Sequence, residues 1–212
     1  MDTETPDIAP LRICDSAPDF SARSTAGDFI LSDFRGKWLI LFSHPADFTP
    51  VCTSEFVALA QAEDRFAEHD CALAGLSVDS LYSHFAWIRA IRDRFGVEVT
   101  FPIIEDPTMA IGRAYGMISS DDGDSATIRS TYFIDPAGII RAITTYPANV
   151  GRSVDEMLRV LQALIAADRD DALAPANWHP GDPLLCAPDP VLSDIFSGAE
   201  PSGWFYKEKA PQ

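Results

Sequence analysis

The candidate catalytic side chains concentrate in His44-Pro45-Ala46-Asp47-Phe48-Thr49-Pro50-Val51-Cys52-Thr53-Ser54-Glu55. Cys52 is the candidate nucleophile. Thr49 suits a helix N-cap and Pro50 the first helical position, so Cys52 falls in a first turn. There the unpaired backbone N–H groups and the positive dipole end favour thiolate over thiol. The Thr49 hydroxyl, one turn earlier, can reach the sulfur or a molecule bound to it. Pro45 and Pro50 stiffen the loop and remove backbone donors. A stiff, partly dry site over a thiolate suits a small oxidant. The same position also suits a buried, unreactive cysteine, and Thr49 an ordinary cap.

The other residues narrow the chemistry. The four cysteines, Cys14, Cys52, Cys71 and Cys186, are widely spaced and contain no CxxC pair. This argues against a disulfide framework, a dithiol redox pair and a structural zinc site. The four histidines are scattered, so no metal and no cofactor are expected. The net charge of −16 would repel nucleic acid and anionic membrane. The longest apolar run, Trp38–Phe42, is far too short to span a bilayer. Met1–Pro10 is acidic, with no apolar stretch of the secretory kind, so the expected location is cytoplasmic.

The elements that must position Cys52 can be read around it. With 47% hydrophobic and 23% charged residues, the chain is globular. Segments 11–34 read as short strands and turns. Trp38-Leu39-Ile40-Leu41-Phe42 suits a strand buried on both faces. The helix from Thr49-Pro50 carries Phe56, Leu59, Ala60 and Phe66 to about His69. Cys71–Val78 reads as a second buried strand, Ser80 as the cap of a helix ending near Gly96, and Pro102–Ile104 as a short strand. Thr108–Tyr115 reads as a short helix. Ile128–Ile134 and Ile139–Thr144 form a hairpin across Asp135-Pro136-Ala137-Gly138. Ser153-Val154-Asp155-Glu156 opens a last helix with a capping-box pattern. After Ala174 the texture changes, and seven of the 16 prolines lie from Pro175 onward. The expected division is a domain over 1–172 and an extended arm over 173–212. The arm carries Trp178, Trp204, Phe205 and Tyr206, which predicts packing on its own domain or on a partner subunit. The element order is that of a thioredoxin-like layered α/β fold, a central mixed sheet flanked by helices.

Pro45-x-x-x-Thr49-x-x-Cys52 resembles the active-site motif of the peroxiredoxins. The string Phe42–Thr53 resembles their 1-Cys branch, which includes long-armed members. The likeness extends to Ala17-Pro18-Asp19-Phe20, Gly75–Ser80 with His84 and Trp87, Phe101–Ile104 and Tyr115-Gly116-Met117. It continues through Arg129 with Phe133–Pro136, Tyr146-Pro147 with Gly151-Arg152, and Pro175–Trp178 with Pro180–Asp182.

The resemblance implies a peroxidase in which the Cys52 thiolate attacks a hydroperoxide and becomes a sulfenic acid. It implies that Thr49 and Arg129 contact the peroxide or the sulfur, with Pro45 shaping the site. Glu55 would orient Arg129, with Arg152 as a second guanidinium. His44 matches the branch's active-site histidine, and a neutral structural role is the alternative. The family implies a homodimer, with larger rings open. The reductant would be an external thiol of the glutathione, glutaredoxin or thioredoxin type. Cys186, on the arm, is the alternative resolving thiol of a 2-Cys cycle. A peroxide sensor or holdase chaperone is the alternative function. Lys37 stands where animal 1-Cys relatives carry a lipase serine, so no such lipase activity is expected.

Overall fold

In chain order the structure, a computed structural model that describes residues 10–118, 126–188, 195 and 204–210, begins with β1 (Ser21–Ser24) and β2 (Gly27–Ile30). A 3-10 turn (Leu31–Phe34) leads to β3 (Trp38–Ser43), α1 (Pro50–Ala67), β4 (Cys71–Ser77) and α2 (Leu81–Phe95). Then follow β5 (Ile103–Glu105), α3 (Ala110–Ala114), β6 (Arg129–Ile134), β7 (Ile140–Tyr146) and α4 (Val154–Asp170). Two short strands, β8 (Leu184–Leu185) and β9 (Glu208–Lys209), complete the order. Contacts group the chain into two compact units, residues up to Val154 and residues from Asp155 onward. The compositional boundary after residue 172 lies inside the second unit.

In the first unit seven strands form one sheet in the order β2-β1-β5-β4-β3-β6-β7. β3 runs parallel to β4 and antiparallel to β6, so the sheet is mixed, as a thioredoxin-like fold requires. Every residue of β3 is buried, as its unbroken apolar run predicts. β7, at the edge, is mostly half-buried. Ser43 fastens the end of β3 to β6: its hydroxyl donates to the Ile128 carbonyl at 2.5 Å and accepts from the Ser130 amide at 3.1 Å. Leu39, Leu41, Ala74, Leu76, Ile104, Tyr115, Tyr132 and Ile134 belong to one core cluster.

The helix starts follow the sequence with two differences. Thr49 has the extended N-cap conformation and Pro50 opens α1, yet the Thr49 side chain makes no capping bond. Ser80 does cap α2, accepting from the Ser83 amide at 3.4 Å, and Gly96 closes that helix at φ 67. α3 begins at Ala110 rather than Thr108, because Met109 sits in the left-handed region at φ 60. Thr108 instead joins a turn whose Asp106 carboxylate accepts from the Gly112 amide at 2.7 Å.

In the second unit Trp178 is buried with Ala166, Ala172 and Leu184. Its indole N–H donates to the Asp182 carbonyl at 3.0 Å. This part of the arm therefore packs against its own unit. Trp204, Phe205 and Tyr206 stay exposed, while 189–194, 196–203 and 211–212 of the arm lie outside the described residues. No described helix is long and apolar enough to cross a membrane.

Candidate active site

α1 presents Cys52, Glu55 and Phe56 on its buried face, and β6 opens with Arg129 directly beneath them. Arg129 Nη1 donates to Cys52 Sγ at 3.3 Å and to Glu55 Oε2 at 2.7 Å. Its Nε and Nη2 both donate to the Ala148 carbonyl, at 3.1 and 2.8 Å, which fixes the guanidinium plane. Arg152 holds Glu55 from the other side. Its backbone amide and Nε reach Glu55 Oε1 at 2.8 and 2.9 Å, and its Nη2 reaches Oε2 at 2.8 Å. Cys52 is fully buried, and Glu55, Arg129 and Arg152 are buried with it. An arginine on a strand needs such partners if it is to be buried, since an unpaired buried charge is costly.

Burial alone would raise the Glu55 carboxyl. The hydrogen bonds and charge of Arg152, with the charge of Arg129, outweigh it and hold Glu55 below the ordinary carboxylate range. Glu55 is therefore ionised. Two guanidinium groups, always protonated, then face one carboxylate. The positive charge of the pair thus exceeds that of the carboxylate by one, and the Cys52 sulfur lies beside it.

The Thr49 hydroxyl donates to the Ala46 carbonyl at 3.0 Å instead of capping the helix, so its lone pairs remain for a ligand. The Thr49 carbonyl accepts from both the amide and the hydroxyl of Thr53, at 2.9 and 2.7 Å. Trp87 Nε1 donates to the same Thr53 hydroxyl at 3.2 Å, tying this turn to α2. The Cys52 amide belongs to the first-turn donors that no helical carbonyl takes up. Pro45 is half-buried in the loop leading to Phe48, whose ring is exposed at φ 58.

His44 lies in a buried chain of hydrogen bonds. Its Nε2 is 2.9 Å from Asp47 Oδ1, and His84 Nδ1 is 2.8 Å from Asp47 Oδ2. Both nitrogens facing the carboxylate act as N–H donors, which fixes both tautomers. Among the described residues, His44 Nδ1 and His84 Nε2 are buried with no hydrogen-bond partner. Burial pulls the His44 pKa below its usual value, against the opposing hydrogen bond and charge of Asp47, so the ring is neutral. Asp47 is raised by burial but lowered further by its bonds to the two histidines, and stays ionised. These three side chains offer atoms within 4.8 Å of one another, as a metal would require. Their 2.8–2.9 Å spacings are hydrogen-bond distances.

Cys52, Glu55, Arg129 and Arg152 are thus brought together, with Thr49 on the turn that carries Cys52. Asp47 was missed, although its spacing of three from His44 was a readable signal; the Ala148 carbonyl had none. The other thiols are separate and free. Burial pushes Cys71 up to about 12 despite a backbone hydrogen bond that opposes it. Cys14 is exposed in a turn at φ 75, and its amide donates to the Ile140 carbonyl at 2.8 Å. Cys186 is half-buried in the second unit, where its amide donates to the Lys207 carbonyl at 2.9 Å.

Residues 13–143 match the AhpC/TSA family. Over 200 residues the chain is 48% identical to peroxiredoxin 2 of Caldanaerobacter subterraneus subsp. tengcongensis, covering 92% of this chain and 90% of that protein. It is 44% identical to peroxiredoxin 2 of Thermoplasma acidophilum, covering 90% of this chain and 96% of that protein. Among solved structures, a yeast mitochondrial 1-Cys peroxiredoxin, studied for thiol resolution via glutathione/thioredoxin systems, is similar with a TM-score of 0.83 and 36% identity, covering 95% of this chain and 100% of that one. A reduced 2-Cys peroxiredoxin of Plasmodium vivax is similar with a TM-score of 0.77 and 33% identity, covering 83% and 93%.

Proposed function

The chain belongs to the AhpC/TSA family, and on that premise we propose that it reduces hydrogen peroxide and organic hydroperoxides at Cys52, in a 1-Cys cycle closed by an external thiol. It is a peroxiredoxin, a thiol peroxidase like the relatives it matches. The observation that carries the assignment to Cys52 is the contact of its sulfur, 3.3 Å from a guanidinium whose charge no carboxylate fully balances.

The thiolate sulfur attacks the terminal oxygen of the hydroperoxide. The S–O bond forms as the O–O bond breaks, leaving Cys52 as sulfenic acid and releasing hydroxide or alkoxide, which takes up a proton. Arg129 and the Cys52 amide are the donors for the oxygens on which charge develops, and the Thr49 hydroxyl, its proton given to Ala46, accepts from the hydroperoxide O–H. A first external thiol then condenses with the sulfenic acid to a mixed disulfide and water. A second thiol displaces Cys52 and leaves as the oxidised disulfide.

Two observations favour an external thiol. Cys71 is buried with its pKa pushed up to about 12, which makes it a poor resolving nucleophile. A 1-Cys relative studied with glutathione and thioredoxin systems is similar along nearly the whole chain. The exposed ring of Phe48 and the exposed Trp204, Phe205 and Tyr206 support a homodimer. Four free thiols suit a reducing, cytoplasmic setting. The test is steady-state peroxide consumption with glutathione and glutaredoxin, or with thioredoxin. Cys186→Ser should turn over like the wild type, and Cys52→Ser should not. Loss of turnover in Cys186→Ser alone would establish a 2-Cys cycle instead.

A further inference from the structure

We propose that Phe42 and Gly75 are positioning residues for the active-site charges: Phe42 supports the Arg152 guanidinium, and Gly75 leaves the space that lets Phe42 lie there. Arg152 Cζ stands 5.0 Å from the Phe42 ring centroid. The edges of this guanidinium bond to Glu55 and to Ser130 and Thr131, but its face has no hydrogen-bonding capacity. At a buried site that face is best covered by an aromatic ring, whose negative surface attracts it.

The orientation of Phe42 is itself determined. Its ring meets Phe56 and Phe101 edge-on, with centroids 5.5 and 5.8 Å apart. Gly75 lies opposite Phe42 in the parallel register of β3 and β4. A Cβ placed on Gly75 would stand 3.1 Å from Phe56 Cζ and 3.4 Å from Phe42 Cζ. The φ of Gly75 is not positive, and its amide donates to the Pro102 carbonyl at 2.9 Å, so the backbone gives no reason for glycine. Space does. At Gly151, by contrast, a Cβ would meet nothing closer than 3.4 Å. A side chain at Gly75 presses on Phe56, and through the edge-on contact of that ring with Phe42 it shifts Phe42 beneath Arg152. Arg152 then holds Glu55 less firmly, and Glu55 no longer fixes the Arg129 nitrogen that contacts Cys52.

This inference rests on Cys52 being the peroxidatic thiol. The test uses the full chain with Phe42→Leu, Gly75→Ala, the double variant, and Phe66→Leu as a core control at the far end of α1. The readouts are the pH midpoint of Cys52 alkylation, followed by peptide mass, and Tm. Phe42→Leu and Gly75→Ala should each raise the midpoint by about half a pH unit, which is roughly threefold slower alkylation below it. The double variant should recover Tm relative to Gly75→Ala, because leucine frees space, while its midpoint stays raised. Phe66→Leu should lower Tm and leave the midpoint in place. A wild-type midpoint in Phe42→Leu, with Cys52 still required for turnover, overturns this inference alone. Turnover that survives Cys52→Ser overturns it together with the function it rests on.

Discussion

The Arg129 guanidinium lies 3.3 Å from the Cys52 sulfur, with both groups sealed from solvent. The guanidinium therefore stands beside the atom at which the S–O bond would form. The same nitrogen also meets Glu55 at 2.7 Å, so the cation cannot drift away from the thiol.

Arg129→Gln should lower peroxide reduction about 10²–10³-fold, the typical effect of losing one donor to a developing charge. Pre-steady-state oxidation of Cys52, followed by tryptophan fluorescence or mass, measures it. A loss below threefold would remove Arg129 from the reaction.

Thr49→Val removes the acceptor for the hydroperoxide O–H and should reduce the rate about 10-fold, the scale of one hydrogen bond, while Thr49→Ser should retain most of it. Because the Thr49 hydroxyl does not cap α1, the valine variant should stay within about 1 kcal/mol of wild-type stability. Stability from urea unfolding and rate from stopped flow separate the two effects.

Glu55 ties stability to acid. Its pKa is depressed in the folded state, so its contribution is full above the ordinary value of 4.5 and is lost as pH falls through the folded value. Glu55→Gln removes the carboxylate that both buried guanidinium groups share and should cost about 3–5 kcal/mol near neutrality. Urea unfolding at pH 7 and pH 4 should show a smaller loss on acidification for the variant than for the wild type.

His44 acts in a different window. Its pKa lies below the usual 6.5, so below that pH the unfolded chain binds a proton that the native ring refuses. Stability should therefore decline as pH drops from about 6.5 toward the folded value, and His44→Asn should abolish that slope. Unfolding free energies between pH 7.5 and 5.5 check the direction.

Much of the fold was legible because its signals are local. The apolar run Trp38–Phe42, the Thr49-Pro50 start and the Pro136–Gly138 turn each act within a few residues, and β3, α1 and the β6–β7 hairpin follow from them. The helix end that carries Cys52 was legible for the same reason. What joins Arg129 to Ala148, or Arg152 to Phe42, was not, because backbone carbonyls carry no residue code and ring contacts depend on sheet register. Residue type named Thr49 as a cap, but its hydroxyl found a nearer carbonyl at Ala46. Met109 entered the left-handed region against its type and shifted the start of α3.

The most direct measurement is intact-mass and peptide analysis of reduced protein after one equivalent of hydrogen peroxide, with a sulfenic-acid trap present. A trapped adduct on Cys52 alone is the predicted result, because the other thiols lack a buried cation beside a helix start. A Cys52–Cys186 disulfide would contradict the 1-Cys cycle. Cys52 remaining reduced while peroxide persists would contradict peroxide chemistry at this site.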